Sequence, residues 1–291
     1  TVARSVGANG NGVRVIGVQR QTDVALLNDR RIAEASQGNQ DLRASFLKGL
    51  EEAIGTPDSA ISLGTRLSDF DTALLEAVSR PDSEARLTNV LDTAKALADH
   101  ISRAAETVQA ARASADDGIE AQVRQLNTAL SRIAELNGQI RTSLSGTHDP
   151  SALMDQRQQL IDSISGILPI REVARDSGQV ALFTTNGATL LDGKAAVFGF
   201  SPAGIVTADM SITNGTLSGL TLNGRAVATD RAEGPIAGGS LAASFALRDD
   251  LAVEAQTKLD ALARDLVERF SASGLDPTRS SGDAGLFTDG G

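Results

Sequence analysis

One stretch decides the organisation of the chain: LTNVLDTAKALADHISRAAETVQAARASADDGIEAQVRQLNTALSRIAELNGQIRTSL, from Leu87 to Leu144. Steps of four and three residues from Leu87, alternating except for two successive steps of four from Gln122 to Leu130, reach 17 positions up to Leu144, and 14 of these are apolar. Apolar residues on a 3.5-residue repeat predict a helix that packs along one seam. A continuous helix of this length spans roughly 85 Å, whereas a compact globule of the whole chain has a radius of gyration of about 19 Å. The stretch therefore predicts a rod.

Two features of this seam need an interpretation. Asp116, Asp117 and Gly118 form its weak point, because glycine inside a helix costs about 1 kcal/mol relative to alanine. The repeat keeps its phase across them, which predicts one unbroken helix. The three polar seam residues could mark a site, but isolated polar residues in such seams usually set the register between helices. They are Arg112, Gln122 and Asn137.

Shorter helices are predicted on either side of the long one. Asp23 can cap a helix that runs to Ile54 and ends at Gly55-Thr56-Pro57. A second helix carries apolar residues from Leu63 to Val78 and stops at Arg80-Pro81, after which Asp82 or Ser83 starts the long helix. Another helix follows Pro150, and a return helix begins at Ser240 and is expected to stop at Gly274.

Between these helices the composition changes. From about Gly166 to Gly239 short apolar runs alternate with N-G, D-G and S-G turns, which is typical of a small antiparallel β domain. The predicted runs are LPIREVA, QVALFTT, ATLLD, AAVFGF, GIVTAD and SITNGTLSGLTLNGRAV. The predicted fold class is α+β, mainly α: an elongated bundle of long antiparallel helices with an inserted β domain. The predicted divisions are a helical rod (1–165), the β insert (166–239), and the return helix with its tail (240–291).

The composition excludes several classes of function. The 291 residues include no Cys, Trp or Tyr and only two His, so thiolate chemistry, disulfides and histidine-rich metal sites are not expected. The net charge of −10 argues against nucleic acid as a partner. No apolar run approaches the roughly 18 to 20 residues of a membrane-spanning helix. These residues also show no Sec-type signal, since no basic segment precedes an apolar one at Thr1.

No catalytic group of residues survives a comparison with simpler interpretations. The glycines from Gly7 to Gly12 lack the Lys-Ser/Thr of a phosphate loop and predict a flexible turn. His148 beside Asp149 predicts turn and helix-cap chemistry. The pairs Asp116-Asp117 and Asp249-Asp250 lie outside any calcium-loop pattern and predict solvated helix faces. No catalytic, cofactor-binding or metal-binding residue is therefore expected.

An enzyme in the β insert stays an alternative with scattered candidate groups. It would need a polar pocket built from the charged residues of that segment. These are Arg171, Glu172, Arg175, Asp176, Asp192, Lys194, Asp209, Arg225, Asp230, Arg231 and Glu233.

Four segments in order resemble one family. They are GNGVRVIGVQRQTDVALLNDR (Gly10 to Arg30), AVSRPDSEARLTNVLDTAKALADHI (Ala77 to Ile101), QLNTALSRIAELNGQI with DPSALMDQRQQLIDSIS (Gln125 to Ser165), and GGSLAASFALRDDLAVEAQTKLDALARDLVERFSASGLDPT (Gly238 to Thr278). Together they resemble the bacterial flagellar hook-associated protein 1 family. Gln158 stands where that family usually has Asp, and the family's terminal heptad segments are not matched, so a core fragment is expected.

The resemblance implies a structural role. A member of this family is exported by the flagellar type III apparatus without a cleaved signal peptide and forms a ring at the extracellular junction of hook and filament. The implied partners are further copies of itself, the hook protein, the second junction protein and an export chaperone that binds the C-terminal segment. A cysteine-free chain suits export in an unfolded state. The alternatives are a flagellin-like or second junction protein and the coiled-coil stalk of an adhesin or sensor.

Overall fold

A computed structural model describes residues 23–146, 149–271, 283 and 285–288. Its first part is helical, as the sequence predicts. The helices are α1 (Val24–Ile54), α2 (Leu63–Ser79), α3 (Glu84–Ser145) and α4 (Ser151–Ile164).

The ends of the first helices follow from local chemistry. The carboxylate of Asp23 accepts hydrogen bonds from the backbone N–H groups of Ala25 and Leu26, which have no partner inside α1. Gly55 ends α1 with a φ of 84°, a conformation that favours glycine. Ser62 caps α2 by accepting from the Thr65 N–H. The predicted starts and stops of both helices are confirmed.

Helix α3 is continuous over 62 residues. At about 1.5 Å per residue it is roughly 93 Å long. It passes through Gly118 without a break, because packing along the seam outweighs the weak helix propensity of one glycine. Both ends of the predicted seam extend beyond the packed region: Leu87, Leu91 and Leu144 are about half exposed.

The middle segment forms two small antiparallel sheets. The first has the order β1-β2-β3-β4 and the second the order β5-β6-β7. The strands are β1 (Ile170–Ala174), β2 (Val180–Thr184), β3 (Thr189–Asp192), β4 (Lys194–Ala195), β5 (Phe198–Gly199), β6 (Leu220–Leu222) and β7 (Arg225–Val227). The run GIVTAD is not a strand, and AAVFGF is divided between the two sheets.

The return helix has a feature that periodicity does not predict. It begins as α5 (Ser240–Ala246), passes through a π-helical turn (Leu247–Leu251) and continues as α6 (Ala252–Ser271). A π-turn holds one extra residue, so the faces of α5 and α6 are offset from a single helical repeat. Ala255, Leu259 and Leu266 of the predicted buried face are buried, whereas Leu251, Leu262 and Phe270 are half-buried.

The core changes character along α3. Toward its C-terminal end, Leu126, Leu130 and Ile133 pack with α4, α5 and both sheets. In the middle, Ala104, Val108 and Ala115 pack against α1 and the return helix. Toward the N-terminal end, residues from α2 and α6 complete a third cluster, in which Phe70 lies 5.5 Å from both Phe270 and Phe287 between ring centroids. The predicted fold class is confirmed.

The two ends of the β segment lie side by side. The Ser240 N–H donates to the Gly166 carbonyl at 3.0 Å, and the Leu241 N–H donates to Ile167 at 3.3 Å. Helix α1 holds this junction, since Asn39 donates to the Gly239 carbonyl at 2.8 Å. A segment that leaves and returns at one place can vary in length without disturbing the helices around it.

Candidate functional site: polar anchors and outer faces of the long helix

Polar side chains of α3 attach the rest of the chain to it. Asn137, a predicted register residue, donates to the Val180 carbonyl at 2.8 Å and accepts from the Val180 N–H at 3.2 Å. Asn127 makes the same pair of bonds with Phe198, both at 2.8 Å. Each carboxamide therefore takes the place of a neighbouring strand and satisfies the backbone N–H and carbonyl of one residue, Val180 of β2 or Phe198 of β5.

Helix α1 uses the same device on β1. Asn28 donates to the Glu172 carbonyl at 3.1 Å and accepts from the Glu172 N–H at 2.9 Å. An edge strand whose groups are covered in this way is protected from pairing with another chain.

Arg112 anchors an irregular loop. Its guanidinium donates to the Arg248 carbonyl and the Thr207 carbonyl, both at 2.8 Å, and also to Ala208 and Met210. A guanidinium has five N–H donors in a fixed fork, so it can satisfy several carbonyls at once. Arg112 thus joins α3 to the return helix as well as to a loop, and Asn137 also accepts from Arg157 of α4 at 2.8 Å. Gln122 joins α3 to α5, because it bonds Ser240 and Ser244. All three therefore link helices, as their interpretation as register residues predicts, and Arg112 and Asn137 bind main-chain groups in addition.

A buried ion pair corrects a second expectation. Asp116 is 1% exposed and pairs at 2.7 Å with Arg248, which is fully buried. Arg248 also pairs with Asp249 at 2.8 Å and lies over the rings of Phe200 and Phe245. The prediction of a solvated face is therefore wrong for Asp116, because Arg248 supplies the charge that burial requires. Asp117 and Asp250 are exposed, as predicted.

The other acidic candidates have structural roles. Asp250, although exposed, has a raised pKa, because desolvation by the surrounding chain and the charges of Asp249 and Asp230 disfavour its ionised form. Asp149 accepts from the Ser151 hydroxyl and N–H at the start of α4, and these bonds lower its pKa. His148 and the cluster Gly7 to Gly12 lie outside the described residues.

Most charged residues of the β segment do not converge on one pocket. Asp209 and Asp230 line an open pocket of 490 Å³, to which the rest of the chain contributes Arg112, Asp249 and Asp250. Glu172 pairs at 2.8 Å with the buried Arg31 of α1. Arg175 pairs with Asp192 at 2.9 Å on the surface, and Asp209 accepts from Thr207. Among the residues that the structure describes, no group of three or more His, Cys, Asp or Glu could hold a metal ion.

Sequence reasoning missed several anchors. Arg31, Asn28 and Asn127 lie on helix faces where single polar residues are unremarkable. Burial alone would raise the pKa of Asp162, but hydrogen bonds from Arg30 and Arg31 outweigh it and hold that pKa below its usual value. The only available signal was the occurrence of Asn and Arg among apolar positions, which does not name a partner.

The outer surface carries two apolar features. A groove of 280 Å³ runs between α1 and α3 and is open to solvent. Large apolar side chains are also exposed on the helices, including Leu47 of α1, Leu75 and Val78 of α2, and Leu87 and Leu91 of α3. No described helix is both long enough and apolar enough to cross a membrane.

These features define a class of protein: an elongated helical bundle with small sheets fixed to it, whose buried polar groups bond to one another and to the main chain. Comparison with known proteins gives the family. The model of the flagellar hook-associated protein FlgK helical domain matches residues 47–286. This chain therefore belongs to that family.

Individual relatives agree with this assignment. Flagellar hook-associated protein 1 of Escherichia coli is 29% identical over 189 residues, which is 64% of this chain and 34% of that protein. The protein of the same name from Bacillus subtilis is 26% identical over 65% of this chain and 37% of its own length. The chain thus spans about a third of the length of these relatives.

A solved structure shares the fold. The flagellar hook junction protein FlgK from Burkholderia pseudomallei superimposes with a TM-score of 0.67 at 21% sequence identity. The similarity covers 84% of this chain and 43% of that one.

Proposed function

We propose that this chain is a structural subunit of the bacterial flagellum and contributes to the ring that joins hook and filament. The observation that carries the proposal is the family match over residues 47–286, most of the chain. The long continuous α3 and its closely bonded attachments support a rigid building block. The proposed role is structural, and the proposal assigns the chain no catalytic residue, cofactor or resident metal.

The proposed partners follow from this position. Further copies of the chain lie beside it in the ring, the hook protein lies below and the second junction protein above. Export proceeds through the flagellar type III apparatus with a chaperone, and the assembled protein is extracellular. Residues 166–239 act as an inserted β domain, which is supported by the adjacent ends of this segment at Gly166 and Ser240. The exposed faces of Asp23–Ile54 and Leu87–Leu144 carry much of the contact between subunits.

Labelling on flagellated cells tests the location. These 291 residues contain no cysteine, so Lys194→Cys introduces a single thiol among them, at an exposed position of β4. A membrane-impermeant maleimide dye is expected to mark one focus per flagellum, at the boundary of hook and filament. Labelling along the whole filament would instead indicate a flagellin-like protein, and labelling of the cell body a stalk. Cells of the parent strain, which lack the introduced cysteine, are treated with the same dye as the control.

A further inference from the structure

We propose that neighbouring copies of this chain dock side by side through the α1–α3 groove, with Leu47 of one copy inserted into the groove of the next. The inference rests on the proposed ring and specifies which faces meet in it. The occupant is a second copy of this chain, because α1 both forms one wall of the groove and carries the exposed Leu47.

The α1–α3 groove has the form of a receptor for a large apolar side chain. Phe46, Val108 and Leu247 contribute apolar surface, whereas Ser45 and Ser114 are small and leave the space open. Its volume of 280 Å³ accommodates a leucine side chain and part of the helix that carries it. Burying a leucine there removes apolar surface from water on both copies.

Two glycines in this groove have no internal explanation. A Cβ at Gly49 would meet nothing within 4 Å, and one at Gly118 would meet only the Gln122 amide nitrogen at 3.9 Å. Neither glycine has the positive φ that excludes other residues. Glycine weakens a helix interior, and close packing within this chain does not require it at either place. We attribute both to the close approach of a helix from a neighbouring copy.

Leu47 is placed to anchor that helix in the groove. It is 55% exposed and lies two residues after Ser45 and two before Gly49. At 100° per residue, two residues turn a helix by about 200°, so Leu47 projects from the side of α1 opposite the groove. Each copy therefore offers a groove on one side and a leucine on the other. Such a head-to-tail contact repeats from copy to copy and generates a ring or a helical array.

Charge complementarity sets the orientation. Helices α1 and α3 are antiparallel, since His100 of α3 lies 3.2 Å from the Ile54 carbonyl at the end of α1. Glu51 lies one turn beyond Leu47, and Arg103 lies one turn beyond Thr107 of the groove, at the same end. Both side chains are exposed. In neighbours of equal orientation, the partner's Glu51 faces Arg103 when the partner's Leu47 fills the groove.

Disulfide trapping tests the contact directly. A mixture of the Leu47→Cys and Thr107→Cys chains is oxidised, and the rate of mixed-dimer formation is measured; Thr107 lines the groove and is exposed. The control mixture replaces the first chain with Leu26→Cys, an exposed leucine near the other end of α1. The trapped pair is expected to form roughly tenfold faster than the control, because docking raises the effective concentration of the two thiols. Equal rates in the two mixtures overturn the inference.

A charge exchange tests the orientation. Glu51→Arg and Arg103→Glu are each expected to slow trapping roughly two- to fivefold, and the double exchange to restore it. Glu52→Arg, on the next residue and another face, is the matched control. Slowing without restoration would contradict the assigned register. If the maleimide focus at the junction is present but trapping fails, the docking face is wrong while the proposed function stands.

Discussion

The two halves of α3 have the same apolar repeat but are covered differently. In the C-terminal half, Ile119, Leu126, Leu130 and Ile133 are all fully buried under α4, α5 and two sheets. In the N-terminal half the seam is rich in alanine, and helices cover it together with Phe287 and the loop that Arg112 binds, without a sheet. Alanine lets neighbouring helices approach closely, whereas leucine and isoleucine fill a wider space beneath a sheet.

The two halves of α3 therefore differ in what they contribute, one to the stability of the fold and the other to surface for contact. The C-terminal half combines large buried side chains with polar anchors to the main chain of β2 and β5. The N-terminal half leaves the α1–α3 groove open and exposes Leu87 and Leu91. We infer that the C-terminal half of α3 holds the fold together and that the N-terminal half offers surface for neighbouring subunits.

The largest expected effect lies between the two halves. Arg248→Met leaves Asp116 buried without its cation and should lower the free energy of unfolding by about 3–5 kcal/mol. Chemical denaturation measures it, with the exposed Arg264→Met as a control that should change stability by less than about 0.5 kcal/mol. Replacing Asp116 by Leu as well should recover much of the loss. An Arg248→Met chain as stable as the control would show that the pair is not a constraint on the fold.

A leucine-to-alanine substitution in each half of α3 tests whether the two halves are packed differently. Leu130→Ala removes a fully buried side chain and should lower the free energy of unfolding by about 2–5 kcal/mol. Leu87→Ala lies in the same seam but is 47% exposed, and should cost less than about 0.5 kcal/mol. Equal losses in denaturant titrations would mean that the halves are equally packed.

A polar anchor should contribute less than the apolar core. Asn137→Ala leaves the Val180 N–H and carbonyl without their partner in a buried place and should cost about 1–3 kcal/mol. Hydrogen exchange should show faster exchange of the Val180 amide. Asn89→Ala, on an exposed face of α3, is the matched control. Unchanged protection at Val180 would contradict the role of the anchor.

The smallest effect has the opposite sign. Gly118→Ala has room for its Cβ and should raise the free energy of unfolding by up to about 1 kcal/mol through better helix propensity. The same variant narrows the α1–α3 groove and should slow the disulfide trapping described above. A gain in stability with unchanged trapping would place Gly118 outside the contact.

Much of the helical framework could be predicted from local signals. Asp23, Gly55 and the Arg80-Pro81 turn mark helix ends through chemistry that acts within a few residues. The apolar repeat predicted the continuity of α3 through Gly118, because a seam acts over many turns. The same repeat did not show how far the other elements cover the seam of α3, so it did not predict the exposure of Leu87, Leu91 and Leu144.

The β segment was predicted less well. Turn dipeptides and apolar runs indicated most of its strands, but they did not separate β4 from β5 or exclude GIVTAD. Short strands depend on which neighbours they pair with, and that choice is made by packing against α3.

By itself, the sequence determined the long helix, the return of the chain in a second helical segment, the α+β class, and a composition unsuited to cysteine chemistry. Only the tertiary structure decided that Asp116 is buried, that the asparagines bind strand backbones, and that α1 and α3 enclose an open groove. Periodicity and capping depend on residues close in the chain. The partners of a polar side chain are instead residues distant in sequence, such as Asp116 and Arg248, that only the complete fold brings together.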